Sequence, residues 1–186
     1  MKPGQIVFKE ERNGEHLLIR SIEIGDAVAM REYINTLSNE ETFIAMQRDQ
    51  FSLDEEKKAV EGLVRSVIKN KAVFLLFFIN EKLNGVVDVQ ISSKGAIKHR
   101  GSLGITLAQD ARGKGFGNLL MSTVIAEARK NIQGLKLIQL SLFSGNDVAL
   151  TMYKKYGFVE YGRLPKGLKR KEELHDEILM FKELTS

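Results

Sequence analysis

The chain has 186 residues, of which 43% are hydrophobic and 28% charged, the balance of a globular protein with one core. It contains no cysteine, which excludes disulfides, zinc–thiolate sites and a cysteine nucleophile. A net charge of +4 suits a phosphate-rich ligand but equally suits ordinary solubility. Because His16, His99 and His175 are widely separated, no metal site is expected.

The longest apolar run, Ala72–Ile79, is far shorter than the roughly 20 residues that span a bilayer. Residues 1–15 are polar and lack the apolar centre of a signal peptide. We therefore expect a cytoplasmic protein without membrane contact. Its single domain should cover residues 1–186, with a core at about 15–184.

The first strand is predicted at residues 17–20, and a helical pattern with Tyr33 and Leu37 follows Gly25. Ser52 and Glu55 then form a capping-box pattern, which marks the start of a second helix. Apolar residues at helical spacing between Val60 and Ile68 give this helix its buried face. A strand buried on both faces is predicted at 72–79, and its hairpin partner at 83–92.

A further strand at 102–107 leads into a glycine-rich loop and a helix with Phe116 and Leu120 toward the core. A strand follows at 135–143. Asn146 then resembles the N-cap of a short helix with Val148 and Tyr153 on its apolar face, and Gly157 its left-handed C-terminal cap.

Two final antiparallel strands are predicted at 158–164 and 174–181. The basic stretch 163–171 between them reads as a solvated hairpin loop. Its functional alternative is recognition of an acidic or phosphorylated acceptor, or of RNA. The order of elements predicts an α/β domain with a mixed sheet.

The glycine loop at residues 112–118 is the strongest functional signal. Gly113, Gly115 and Gly117 let backbone amides approach a ligand, and the following helix directs its unpaired amides and positive dipole end to the same place. This predicts a phosphate or pyrophosphate site. The spacing does not match the dinucleotide fingerprint, and Gly115 after Lys114 excludes the P-loop. A tight turn without a ligand is the remaining alternative.

Arg112, Gly115 and Gly117 match the pattern Arg/Gln-x-x-Gly-x-Gly/Ala, and the segment from Asn146 to Phe158 follows it. Together they resemble the GNAT superfamily of acetyl-CoA-dependent N-acetyltransferases. The resemblance implies the GNAT (acyl-CoA N-acyltransferase) fold, a mixed and mostly antiparallel sheet flanked by helices. In that fold the strand before the glycine loop splays from its neighbour, and acetyl-CoA lies in the gap.

The resemblance also implies roles for particular residues. The pantetheine arm would lie along the backbone of Ile105, Thr106 and Leu107. The pyrophosphate would be held by the amides of Arg112, Gly113, Lys114, Gly115, Phe116, Gly117 and Asn118. Lys114 would add a point charge or remain a solvated lysine. Asn146 would contact the coenzyme, cap its helix, or do both. Tyr153 would protonate the leaving thiolate or serve only as a core tyrosine.

The implied reaction is direct attack by an amine on the thioester in a ternary complex, without an acyl-enzyme. A main-chain amide near Leu107 would stabilise the oxyanion. Related chains often carry a glutamate on the strand before the loop, where this chain has Ser102. A water chain, Asp88 and His99 remain open as the base.

The acceptor would be a small-molecule or peptide amine, bound by the early helices and the loop at 43–52, the elements that vary most within the fold. Many relatives form homodimers. A non-catalytic GNAT-fold module that binds coenzyme or a partner is the main alternative, motivated by the missing glutamate. A basic protein associated with nucleic acid ranks last, because no RNA-binding motif is present.

Overall fold

The computed structural model describes residues 1–40, 42–47 and 49–184. Their strands are β1 (Ile6–Arg12), β2 (Glu15–Ser21), β3 (Ala72–Ile79), β4 (Lys82–Ile91), β5 (Arg100–Leu107), β6 (Leu137–Phe143), β7 (Val159–Arg170) and β8 (Glu173–Glu183). Their α-helices are α1 (Ala27–Asn39), α2 (Leu53–Ile68), α3 (Phe116–Asn131) and α4 (Asp147–Lys155). Short 3-10 turns lie at Ile24–Asp26, Gly95–Ile97 and Gln109–Ala111. None of the helices in these ranges is long and apolar enough to cross a membrane.

The strands form one sheet in the order β1-β2-β3-β4-β5-β6-β8-β7. Strands β5 and β6 run parallel, and the other neighbouring pairs are antiparallel. The predicted α/β class, with a mixed and mostly antiparallel sheet flanked by helices, is therefore confirmed.

Helices cover both faces of the central strands, which explains the continuous apolar run of β3. Val87 and Val89 of β4 pack in one hydrophobic cluster with residues of α3, and Val86 packs in a second cluster with residues of α1 and α2. Every residue of β3 is buried, as predicted for a strand with two covered faces.

The predicted capping box at the start of α2 is present. The Glu55 amide donates to Ser52 Oγ at 3.3 Å, and the Ser52 amide donates to Glu55 Oε2 at 2.9 Å. Val60 and Val67 are buried on the predicted face, but Ile68 is 60% exposed. At 100° per residue, Ile68 lies about 80° from Val60 around the helix, beyond the edge of the buried stripe.

Strand β1 was not predicted, although the chain carries a signal for it. Asn13 and Gly14 both have positive φ, at 52° and 77°, and they join β1 to β2 in a tight antiparallel hairpin. Asn-Gly is the preferred pair for such a turn. The sheet therefore begins before the predicted core boundary at about residue 15.

The predicted loop at residues 163–171 is wrong, because β7 continues to Arg170 and β8 begins at Glu173. The register shifts between Leu164 and Leu168, so the intervening Pro165 stands where no ladder hydrogen bond is required of it. A local irregularity in the strand pairing accommodates Pro165, the residue that indicated a loop.

Candidate active site

A cleft opens between the parallel strands β5 and β6. Pairing is confined to one end, where Arg100, Gly101 and Ser102 face Leu137, Ile138 and Gln139. Both strands continue beyond that end, to Leu107 and Phe143, and these described segments do not pair with each other. The edge of β5 along the cleft therefore offers free backbone groups to an extended ligand.

Two hydrogen bonds show which backbone groups face the cleft. The Ala108 amide donates to the Asn84 carbonyl on β4 at 2.8 Å, and the His99 carbonyl accepts from the Lys136 amide beside β6 at 2.8 Å. Backbone direction alternates along a strand, and the β4–β5 register is regular. The odd-numbered residues of β5 therefore direct their backbone groups into the cleft.

This alternation refines the expected pantetheine edge. Ile105 and Leu107 present their backbone to the cleft, whereas Thr106 pairs with Val86 on β4. The backbone of Thr106 therefore faces β4 rather than the cleft. The Thr106 side chain instead meets α1, where the Tyr33 hydroxyl donates to its Oγ1 at 2.9 Å.

The three positions of the loop favour glycine for different local reasons. Gly113 and Gly115 have positive φ, at 73° and 83°, and a Cβ on either would meet no atom within 4 Å. Backbone conformation, rather than lack of space, therefore favours glycine at both positions. A Cβ on Gly117 would lie 3.2 Å from Met152 Sδ, so Gly117 allows α3 to pack closely against α4.

The loop leaves a run of consecutive amides without a backbone acceptor among the described residues. The Arg112 amide donates to the Gln109 carbonyl at 3.2 Å, and the Asn118 amide donates to the Gly115 carbonyl at 3.1 Å. Amides 113–117 donate to no backbone carbonyl in the part of the chain that the structure describes. Of the amides of residues 112–118 that were expected to hold a pyrophosphate, those of residues 113–117 are open to a ligand. We call these five amides, at the positive end of α3, the amide cradle.

Phe116 contributes only its backbone to this cradle. Its side chain is buried, and its ring centroid lies 5.0 Å from that of Phe77 on β3. This packing fixes the first turn of α3 against the sheet and holds the loop amides in place.

The basic side chains of the loop already have acidic neighbours. Lys114 Nζ lies 3.7 Å from Glu15 Oε1, and both side chains are partly exposed. Arg112 turns away from the amides: its Nε and Nη2 donate to the Leu107 carbonyl at 3.0 and 2.8 Å. Its guanidinium also pairs with Glu40, just after α1. Arg112 therefore anchors the end of β5 to α1.

Glu40 and Phe43 lie close to the ends of β5 and β6, the two strands that border the cleft. Glu40 reaches the end of β5 through Arg112, while the Phe43 ring lies 6.0 Å from the ring of Phe143 at the end of β6. The guanidinium of Arg170 lies 4.2 Å from the centre of the Phe43 ring. Glu40 and Phe43 thus lie at the wide end of the cleft.

Helix α4 begins beside this end of the cleft. Asn146 Oδ1 accepts from the Ala149 amide at 3.2 Å, which confirms the predicted N-cap, and Gly157 has the predicted positive φ at 79°. Val148 is 86% exposed, so its predicted burial is wrong: the first turn of α4 directs it into solvent.

Tyr153 is the buried residue of α4. It is 7% exposed, and its ring lies 5.9 Å from that of Phe158. Burial raises the pKa of Tyr153 to about 12, because the phenolate would be poorly solvated. The phenol therefore keeps its proton at neutral pH.

Sequence patterns did not single out three residues that hold the site together. Tyr33 and Glu40 tie α1 to β5 and to Arg112. The Tyr156 hydroxyl donates to the Asn118 carbonyl at 2.6 Å, which joins α4 to the first turn of α3. Burial also raises the pKa of Tyr33. These contacts join segments far apart in sequence, so no local pattern indicates them.

A cavity of about 780 Å³ lies beside α1, with Glu32, Tyr33, Glu40 and Asp110 in its wall. Lys82, also in the wall, pairs with Asp110 at 3.1 Å. Across the described ranges, no group of three or more His, Asp or Glu side chains is placed to hold a metal ion.

The family model described as the acetyltransferase (GNAT) family matches residues 31–158. The match spans more than half of the chain, from α1 through the glycine loop to α4. The chain belongs to the GNAT acetyltransferase family. Among curated proteins, no sequence matches it.

Solved structures of other GNAT proteins have the same fold. A GNAT-family acetyltransferase from Streptococcus pneumoniae is 27% identical, with a TM-score of 0.83 over 90% of this chain and 99% of that one. A phosphinothricin acetyltransferase from Sinorhizobium meliloti, solved with acetyl-CoA, is 15% identical, with a TM-score of 0.77 over 90% and 88%. A spermidine N-acetyltransferase from Vibrio cholerae, solved with CoA and spermine, is 23% identical, with a TM-score of 0.73 over 90% and 95%.

Proposed function

We propose that this GNAT protein is an N-acetyltransferase that moves an acetyl group from acetyl-CoA to a primary amine, with residues 1–186 acting as one domain. The observation that carries the proposal is the position of the cleft. The free edge of β5 leads directly to the unpaired amides of the glycine loop, so one extended molecule with a pyrophosphate could occupy both.

The coenzyme grip follows from these backbone groups. The amide bonds of a pantetheine arm would pair with the backbone of Ile105 and with the amide of Leu107, whose carbonyl already accepts from Arg112. The pyrophosphate would accept from amides 113–117, where the dipole of α3 also favours negative charge. The solved complexes of the phosphinothricin and spermidine enzymes with acetyl-CoA and CoA support this proposal.

The chemistry would be direct transfer in a ternary complex. The amine nitrogen attacks the thioester carbonyl, and a cleft-facing amide such as that of Leu107 stabilises the oxyanion. As the carbon–sulfur bond breaks, Tyr153 donates a hydrogen bond and then its proton to the leaving thiolate. Burial supports this role because it keeps the phenol protonated. Solvent then returns a proton to Tyr153.

The acceptor is proposed only as a class, a small-molecule or peptide amine. The related enzymes are named for different amines, and fold alone does not select among them. Phe43 lies at the wide end of the cleft, from which the acceptor would approach. The cytoplasmic location and a homodimer also stay predictions.

Thiol release tests the proposed function. The protein is mixed with acetyl-CoA and a panel of amino acids, peptides, polyamines and aminoglycosides, and free CoA thiol is measured. At least one amine should release thiol in step with formation of its acetylated product. Tight acetyl-CoA binding without transfer to any acceptor would instead favour a non-catalytic module.

A further inference from the structure

Asp88 occupies a specific place beside the cleft that the proposed coenzyme grip does not use. It lies on β4, on the same face of the sheet as Val86, which packs toward α1 and α2. Its cross-strand partner on β5 is Gly104. Asp88 is therefore one strand away from the cleft, on the face opposite α3.

Gly104 allows the Asp88 carboxylate to approach β5. A Cβ on Gly104 would lie 2.8 Å from Asp88 Oδ1, closer than a side chain at that position could tolerate. The carboxylate therefore leans over the β5 backbone, whose other edge forms the cleft. Ser102, two residues before Gly104 on the same face of β5, is exposed.

Among the residues that the structure describes, Gln90 is the hydrogen-bond partner of the Asp88 carboxylate. Gln90 Nε2 donates to Oδ2 at 2.9 Å, whereas Oδ1 accepts no hydrogen bond from the described residues, and the residue as a whole is half-buried. Its neighbours across the strands, Phe74 on β3 and Gly104 on β5, carry no charge, and Ser102 beside Gln90 is neutral. Oδ1 is therefore available to a water or a substrate.

Burial raises the pKa of Asp88 to about 6, while the hydrogen bond from Gln90 acts in the opposite direction. A carboxyl that titrates near neutrality is suited to proton transfer. His99, the other candidate, is exposed at the closed end of the cleft, where its carbonyl is tied to Lys136.

We propose that Asp88 is the general base of the transfer reaction, acting through Oδ1 across Gly104, either directly or through one water. This role rests on the proposed function. The neutral amine forms a nitrogen–carbon bond to the thioester carbonyl, whose π electrons move to oxygen. The nitrogen becomes acidic as this bond forms, and its proton passes to the Asp88 carboxylate. Collapse breaks the carbon–sulfur bond, Tyr153 supplies the thiol proton, and Asp88 releases its proton to solvent.

The pH dependence of kcat/KM tests this role, with an acceptor that releases thiol. For the wild-type protein, activity should fall as the pH drops through about 6, because protonated Asp88 cannot accept a proton. In Asp88→Asn this acidic limb of the pH profile should disappear, and kcat/KM should fall by about 10²–10⁴-fold. Acetyl-CoA affinity, measured by calorimetry, should stay unchanged.

Two controls separate this role from a structural one. Gln90→Leu removes the hydrogen bond that favours ionised Asp88, so the same limb should move to higher pH, even if Asp88→Asn fails to fold. With a second acceptor of different amine pKa, the part of the pH profile at higher pH, which reports the amine, should move. The limb near pH 6, which reports Asp88, should stay in place.

The outcomes are distinguishable. The role of Asp88 alone would be overturned if the wild-type protein is active and Asp88→Asn keeps both the wild-type rate and the fall in kcat/KM near pH 6. It would also be overturned if Gln90→Leu leaves that fall at the wild-type pH. A wild-type protein that binds acetyl-CoA but acetylates no amine would overturn the proposed function and this role with it.

Discussion

At the scale of single residues, burial decides what the polar groups near the cleft can do. Both Tyr153 and Asp88 lose solvation on folding, and in each case this loss favours the neutral form. The result differs because the two groups start from different pKa values. Tyr153 stays protonated at neutral pH, whereas the Asp88 carboxyl can gain or lose a proton near neutrality.

Tyr153→Phe should lower kcat while leaving the acetyl-CoA dissociation constant unchanged. The substitution removes the proton donor but keeps the ring against Phe158, and a positioned acid typically contributes about 10²–10⁴-fold. Steady-state kinetics with the best acceptor and calorimetry with acetyl-CoA provide the two measurements.

Tyr161→Phe is the matched control. Tyr161 is 54% exposed on β7, so loss of its hydroxyl should leave kcat unchanged. If both variants keep wild-type kcat, Tyr153 has no part in the chemistry.

At the scale of elements, two helices begin where a side chain satisfies their first amides. Ser52 and Glu55 cap α2 reciprocally, and Asn146 caps α4. Helices α1 and α3 have no side-chain cap, and α3 has the left-handed Gly115 at its N-cap position. The first amides of α3 are the ones that face the proposed pyrophosphate, and a capping side chain there would compete for the same donors.

Ser52→Ala should lower the free energy of unfolding by about 1 kcal/mol, because it removes the N-cap acceptor of α2. Urea unfolding measures the change. The Ser52 hydrogen bonds also hold the pKa of Glu55 below its usual value. The Glu55 contribution is therefore complete above the ordinary glutamate pKa and is lost as the pH falls through its lower folded value.

Ser66→Ala is the control within the same helix. The Ser66 hydroxyl donates to the Gly62 carbonyl at 3.0 Å, a bond inside the helix that adds little stability. Equal losses in the two variants would contradict the capping assignment.

The parts of the fold that could be predicted are those that depend on local sequence patterns. Helix starts at Ser52 and Asn146, the doubly buried β3 and the glycine loop follow from caps, periodicity and turn residues. Strand β1 was missed despite Asn13 and Gly14. The length of β7 was missed because Pro165 indicates a break when it is considered without its partner strand.

The parts of the site that depend on register could not be predicted. The contacts of Tyr33 with Thr106, Glu40 with Arg112, and Asp88 with Gly104 join different elements. Which residues face each other across strands is set by tertiary packing and turn geometry rather than by the local sequence.

At the scale of the whole molecule, topology creates the candidate site. Strands β5 and β6 are the one parallel pair among the described strands, and parallel neighbours need a crossover connection, here through α3. The crossover places the N-terminus of α3 beside the carboxyl end of β5, where the two strands have separated. The strand edge and the anion cradle are therefore consequences of one connection, as in other open sheets that bind ligands at the carboxyl ends of strands.

Calorimetric titration with acetyl-CoA tests whether the strand edge and the amide cradle bind the coenzyme together, on the wild-type protein, Gly115→Ala and Gly134→Ala. Both glycines have positive φ, and a Cβ on either meets no atom within 4 Å, so the two substitutions carry similar strain. Gly115 begins α3 at the cradle, whereas Gly134 lies in the connection from α3 to β6.

We expect one site per chain in the wild-type protein and in Gly134→Ala, with similar affinity. We expect about tenfold weaker binding in Gly115→Ala, because strain of about 1–2 kcal/mol at that residue would displace the amides. Absence of binding to the wild-type protein, or equal affinity in all three proteins, would contradict this expectation.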